Sequence, residues 1–196
     1  VCGYCHSLLV REGETLTDSG EDSALLEDFS PLQIGTGGVY HQQPFALVGR
    51  LQARYDAGVW NEWYLLFADG SDGWLAEAGD QYVLTRPVAA AETPPAFASL
   101  RAGSRRFTFH GKAFIAADVR DITLERAAAE GELPFRFSGT RQYRVADFRY
   151  GGEFLTVDYA DEPPEIFAGQ GVALADLKLQ NTRSDTQIIE TAGKLK

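Results

Sequence analysis

The sequence predicts a mainly β protein: two related small β-lobes, barrel-like or sandwich-like, with an N-terminal Cys-knuckle hairpin. Three observations lead there. Short apolar segments such as "PFALVGRLQARY", "VWNEWYLLF", "GWLAEA" and "QYVLTRP" alternate with Gly, Asp and Ser punctuation. Aromatic residues make up 12% of the 196 residues and glycine contributes 20, a composition of sheets and turns. No long segment carries the 3.6-residue apolar period of an amphipathic helix.

Taken in order, residues 1–30 open with "VCGYCHSLLV", a tight turn running into a short apolar strand, followed by an acidic, turn-rich connector. The first lobe, 31–88, holds the four apolar segments quoted above. Residues 89–99, in an Ala/Pro-rich stretch, read as a linker. The second lobe, 100–180, contains one hairpin turning near His110–Gly111 and another at Gly151–Gly152. Residues 181–196 are polar and read as a C-terminal tail.

The two lobes look like copies of one unit. "LQIGTGGVYHQQPF" (32–45) aligns with "LRAGSRRFTFHGKAF" (100–114), matching Leu, Gly, an aromatic followed by His, and a later Phe. "NEWYLLFADGSDGWLA" (61–76) aligns with "GEFLTVDYADEPPEIFA" (152–168). That second alignment sets Glu62 against Glu153, Trp63 against Phe154, Asp69 against Asp161 and Trp74 against Ile166.

The net charge is −10 and the pI about 4.7. Phosphate binding needs a basic footprint, so nucleic acid is excluded as the main partner. An acidic surface suits a cationic partner instead, such as a polyamine or a basic segment. No stretch reaches the ~20 apolar residues of a membrane span, so no membrane insertion and a cytoplasmic location are expected. The start at Val1 and the absence of methionine lead us to expect a piece of a longer product.

The segments "SPLQIGTGGVY", "GRLQARYDAGVWNEWYLLFADGSDGWLAEA" and "GGEFLTVDYADEPPEIFAGQGVALADLKL" resemble a bacterial family, domain of unknown function 4178, over about Ser30 to Leu179. The leading "VCGYCHSLLV" is similar to the second knuckle of a zinc ribbon, which relatives complete with an upstream Cys-x-x-Cys. The resemblance implies a genomic setting beside polyamine-synthesis-like enzymes and membrane-stress proteins of the phage-shock type. It implies no mechanism.

Cys2 and Cys5 have the spacing at which two thiolates of one turn reach a single zinc ion. A structural site needs four ligands, so zinc is expected only if an upstream Cys pair completes it. His41 and His110 occupy matching positions beside hairpin turns, where hydrogen bonding accounts for them. "GTGG" (35–38) lacks the lysine and helix of a phosphate loop and reads as a turn. "DYADEPPEIF" (158–167) gathers four acids around two prolines and reads as a solvated turn.

The aromatic stretch 58–74 holds all three tryptophans. Strand alternation puts Trp60, Glu62, Tyr64 and Leu66 on one face, and Val59, Asn61, Trp63, Leu65 and Phe67 on the other. A carboxylate on such a face needs a partner. Arg50 and Arg54 are candidates for Glu62, and Arg144 and Arg149 for Glu153. Trp60, Glu62, Tyr64 and Trp74 are also the candidate ligand-binding cluster, since ring faces and a carboxylate together hold an ammonium group. No catalytic residue is assigned, because no nucleophile, base and orienting group occur together. The expected function is a non-catalytic interaction module in an envelope-stress or polyamine-related system, docking a partner protein through sheet edges and the lobe interface. The alternative is a small-molecule binder for a cationic, polyamine-like ligand at the aromatic cluster.

Overall fold

The computed structural model describes residues 7–12, 15–22, 28–55, 58–89, 91–103, 106–124, 128–135, 141–184 and 186–188. Its strands begin with β1 (Ser7–Glu12), β2 (Thr15–Asp22), β3 (Gly37–Tyr40), β4 (Gln43–Tyr55), β5 (Gly58–Phe67), β6 (Asp72–Ala78) and β7 (Gln81–Pro87). They continue with β8 (Arg106–Phe109), β9 (Lys112–Leu124), β10 (Ala128–Leu133), β11 (Arg141–Tyr150), β12 (Glu153–Asp158) and β13 (Glu165–Val172). Strands β3 to β13 form one antiparallel sheet; β1 joins it in parallel along β10, and β2 pairs outside β1. The chain is mainly β, as its punctuation predicts. The sheet runs continuously through both lobes and is not closed into a barrel.

Two five-strand meanders share the same pairing order, β3-β4-β5-β6-β7 and β8-β9-β11-β12-β13. They meet along β7 and β13, where Thr85 faces Gly169, Arg86 faces Ala168 and Pro87 faces Phe167. Counted outward from the Arg86–Ala168 pair, the registers repeat. Trp74 faces Thr85 as Thr156 faces Phe167, and Leu65 faces Gly73 as Phe148 faces Leu155. The long strands β4 and β9 each carry a bulge, at Val48 between Leu47 and Gly49 and at Ala117 between Ala116 and Asp118. Local details repeat as well. Gly35 N–H donates to Leu47 O at 2.8 Å, and Gly103 N–H to Ala116 O at 2.7 Å. His41 and His110 both sit in turns at φ 46°, each imidazole stacked on the preceding ring at 4.0 and 4.1 Å.

The first sequence alignment, Leu32 to Phe45 against Leu100 to Phe114, follows these registers. The second does not. Strand β11, not β12, holds the position of β5, so Glu62 corresponds to Val145 and Glu153 to Ser71. The match between "NEWYLLF" and "GEFLTVD" slides by one hairpin because both are strands of similar pattern.

Strand β10 stands outside this repeat. It leaves the second meander and pairs with β4 of the first. Gly131, at φ 76°, faces Gly49. A Cβ on Gly131 would lie 2.2 Å from Val48 O, and one on Gly49 would lie 1.7 Å from Glu132 O. Only glycine permits that approach from both sides.

Each meander's core is covered by chain that follows the other meander. After β7, the segment read as a linker lays Val88, Phe97 and Leu100 on the cluster of Phe107, Phe114, Phe148, Leu155 and Val157. After β13, Leu174, Leu177 and Leu179 cover the cluster of Phe45, Leu47, Trp63, Leu65 and Leu84. Removing one such side chain from water contributes roughly 1.5–3 kcal/mol. The stretch 89–99 is therefore a packing element as well as a connection.

Candidate functional site

The predicted cluster is assembled by β5 and β6. Trp60, Tyr64 and the half-buried Glu62 and Trp74 share one face, as alternation predicts. Trp60 and Tyr64 pack with Leu51, Ala129 and Leu133, and Phe135 after β10 stacks on Trp74 at 6.2 Å. The Tyr64 hydroxyl donates to Asp72 Oδ2 at 2.8 Å. Ala129 and Leu133 of β10, with Phe135 beyond it, thus cover part of the aromatic face.

Three of the four arginines expected beside the glutamates, Arg50, Arg144 and Arg149, make other contacts. Arg50 faces Trp63 in register, on the side opposite Glu62, with its guanidinium carbon 4.7 Å from the indole centroid. The Arg54 side chain lies outside the described residues. Glu153 pairs with Lys112, whose ammonium donates to its two oxygens at 2.6 and 2.8 Å. Arg149 lies over Phe154, and Arg144 pairs with Asp121 and lies over Phe97.

On the face opposite Glu62 lies a buried polar network that the sequence reading missed. Asn61 Nδ2 reaches Asp28 Oδ2 at 2.8 Å and Glu77 Oε2 at 2.9 Å. Its Oδ1 accepts from Arg50 Nε at 3.1 Å and Nη2 at 2.8 Å. Trp63 Nε1 donates to Glu77 Oε2 at 2.9 Å, and the Tyr82 hydroxyl to Oε1 at 3.2 Å. Arg50 also pairs with Asp28, and with Glu130 of β10 at 3.5 Å. Arg183 donates to Asp28 O at 2.9 Å. Burial first, and then the Glu77 charge, hold the Tyr82 hydroxyl far above its ordinary titration range. Asn61 and Glu77 are 4% and 5% exposed, so their partners must come from the protein. This is a clamp joining the entry segment, β10 and the tail to the first meander. The signal was legible: Asn61 interrupts the apolar series Val59, Trp63, Leu65, Phe67, and Glu77 follows Gly73 and Leu75 at period two.

Two concavities lie near the seam between the meanders. An open groove of about 720 Å³ runs between the segment after β7 and the turn before β13. Glu92, Asp161, Glu162 and Glu165 line it, with Pro87, Pro94, Pro163 and Pro164, and none of its described lining residues is basic. Glu92 accepts the His110 N–H at 2.8 Å, and this bond, with others from its own backbone, holds its carboxyl below the ordinary range. The "DYADEPPEIF" turn supplies the other three acids. A smaller cavity of about 240 Å³ is lined by Lys112, Glu153, Ala168 and aromatic rings of the second meander.

Cys2 and Cys5 lie outside the described residues. Among the described residues, no group of three or more His, Cys, Asp or Glu side chains has a metal-holding arrangement, and no helix is long and apolar enough to cross a membrane. No curated protein and no solved structure matches the chain. One family does, through residues 33–173, the span that carries both meanders. The chain belongs to the family of domain of unknown function DUF4178.

Proposed function

We propose that this chain is a non-catalytic docking module of a bacterial, cytoplasmic assembly, and that its acidic groove holds an extended basic segment of a partner protein. The observation that carries this reading is the groove itself, an open concavity lined by four carboxylates and four prolines. It lies at one end of the seam between the meanders, where the chain leaves β7 and enters β13, beside the lobe interface at which docking is expected. Prolines keep its walls short of hydrogen-bond donors, so carboxylates dominate what a ligand meets. The chain's net charge of −10 steers a basic partner towards it. The repeating registers support a duplicated β-unit as the origin of the paired scaffold. The Cys2–Cys5 knuckle, completed by an upstream pair, would hold zinc and serve as a second docking element.

The test is fluorescence anisotropy with a labelled peptide of alternating lysine and proline, read against Glu162→Gln/Glu165→Gln. Weakening of about tenfold in the double variant, with an unchanged unfolding midpoint, supports the groove. Equal affinity in both proteins overturns it.

A second reading keeps the cationic, polyamine-like ligand at the aromatic cluster. It is favoured by the half-buried Glu62 and Trp74 lying on one face with the Trp60, Tyr64 and Phe135 rings. Spermidine calorimetry with Glu62→Gln as control decides it. Saturable heat lost in that variant supports the cluster, and equal heat in both proteins removes it.

A further inference from the structure

The first meander carries an arginine where the second carries a cavity. Arg86 donates from Nη1 to Gln43 Oε1 at 2.7 Å and from Nη2 to Ser71 Oγ at 2.5 Å. Its guanidinium carbon stands 4.2 Å from the Phe67 ring centroid. The repeating registers set Ala168 in the place of Arg86, Lys112 in that of Gln43, Glu153 in that of Ser71 and Tyr150 in that of Phe67. The Phe67–Ser71 contact confirms the last two, since Phe67 N–H donates to Ser71 O as Tyr150 faces Glu153. With alanine at 168, everything beyond Cβ is missing, and a cavity of about 240 Å³ opens beside it. Phe109, Phe114 and Phe154 wall this space, and Lys112 and Glu153 stand among its lining.

We propose that this slot binds a guanidinium group on a short aliphatic stem. The aromatic walls take the stem, in the position the Arg86 methylenes hold in the first meander. Glu153 presents two carboxylate oxygens where the first meander offers a single hydroxyl, and a carboxylate accepts a guanidinium fork through both oxygens. Lys112 holds that carboxylate in the ligand-free protein and stands 5.8 Å from the Tyr150 centroid, a cation already at the expected place. Both side chains of that pair are nearly half exposed, at 44% and 46%. Such a pair is weak in water, and Lys112 can swing into solvent as the ligand enters. Guanidinium is favoured over ammonium because its planar fork is less strongly hydrated and bonds through two parallel N–H groups. The slot stands apart from the acidic groove, sharing only Val88 with its lining.

The experiment is calorimetry of the full chain with propylguanidinium chloride at constant ionic strength, with propylammonium chloride as the comparison. Wild type should give one saturable site and prefer guanidinium. Ala168→Arg fills the slot with the side chain the first meander uses, and should weaken binding at least about tenfold while keeping or raising the unfolding midpoint. Glu153→Gln should weaken it similarly. Lys112→Gln, which restores the first meander's residue, should tighten it several-fold. Undiminished binding in Ala168→Arg, or no tightening in Lys112→Gln, overturns the proposal. If Ala168→Arg does not fold, the other two variants decide. An acetylated Gly-Arg-Gly amide distinguishes the source: tighter binding than propylguanidinium assigns the slot to an arginine of another protein, weaker binding to a free small molecule. Glu162→Gln/Glu165→Gln should leave all of these affinities unchanged, so failure of the groove and failure of the slot are separate results.

Discussion

Arg86 and Ala168 face each other across the β7–β13 seam, at the point about which the two meanders repeat. The same backbone position therefore carries a long cation on one side and a methyl group on the other. Arg86 is held by two hydrogen bonds and one aromatic face. Arg86→Ala should cost about 1–3 kcal/mol in urea unfolding, mostly through the lost packing and the amide of Gln43 left short of a partner.

The Gly49–Gly131 contact predicts a backbone-limited loss of stability. Gly131→Ala places a Cβ against Val48 O and forces a left-handed φ on alanine. Destabilisation of at least about 2 kcal/mol is expected from strain and displacement of β10 together. Urea midpoints measure it, and a loss below about 0.5 kcal/mol would contradict the close packing of these strands.

The buried clamp predicts a second loss. Asn61→Leu removes the amide that reaches Asp28 and Glu77 and accepts from Arg50. About 2–4 kcal/mol should be lost, because charged groups keep their burial and lose a partner. Trp63 fluorescence should report the change, since its indole N–H shares the Glu77 oxygen with Asn61.

Alkaline pH should weaken the fold through Tyr159. Burial pushes its hydroxyl up to about 12, from an ordinary value of 10.0, and that hydroxyl donates to Pro95 O at 2.8 Å. Between those two values the folded protein holds a proton that the unfolded chain has released, so stability falls as pH rises. The contribution is fully present below pH 10 and gone above about 12. Tyr159→Phe should flatten that limb of a stability–pH curve, measured by chemical denaturation at fixed temperature. Tyr82 and Tyr40 are raised in the same direction by burial, so the limb will be shallower and not abolished.

One edge of the sheet should become sticky after a single change. Asp118 of β9 holds the place that Gly49 holds in β4, and its Oδ1 accepts the Val119 N–H at 2.9 Å. A charge and a local cap at an edge oppose pairing with another strand. Asp118→Gly should produce concentration-dependent self-association, seen by sedimentation velocity, with wild type unchanged over the same range.

Much of the fold was legible because its signals are local. Strand alternation correctly sorted Trp60, Glu62 and Tyr64 from Asn61, Trp63 and Leu65, and the His41 and His110 turns followed from short hairpin spacing. The pairing of β11 with β9, and the departure of β10 to β4, were not legible, since no local pattern records which strand lies beside which. The same limit governed the site. Glu62 drew attention as a charge among aromatics, while Glu77 and Asn61, more deeply buried, seemed ordinary until β4, β5, β6 and the entry segment came together. The slot needed more still. Its defining residue is Ala168, which has no chemistry of its own and becomes informative only opposite Arg86.

The excursion of β10 also orders events in time. Arg50 and Glu130 are 80 residues apart, so the outer edge of β4 has no β10 partner until about that many further residues have been made. At about 5–20 residues per second, a ribosome leaves that edge waiting for several seconds. The first meander cannot finish its own core either, because Leu174 and Leu177 arrive later still. Synthesis therefore passes through a half-built sheet that commits only once Leu174 and Leu177 have been made. A truncated product would expose apolar surface and strand edge together, which makes it a natural client for chaperones and proteases.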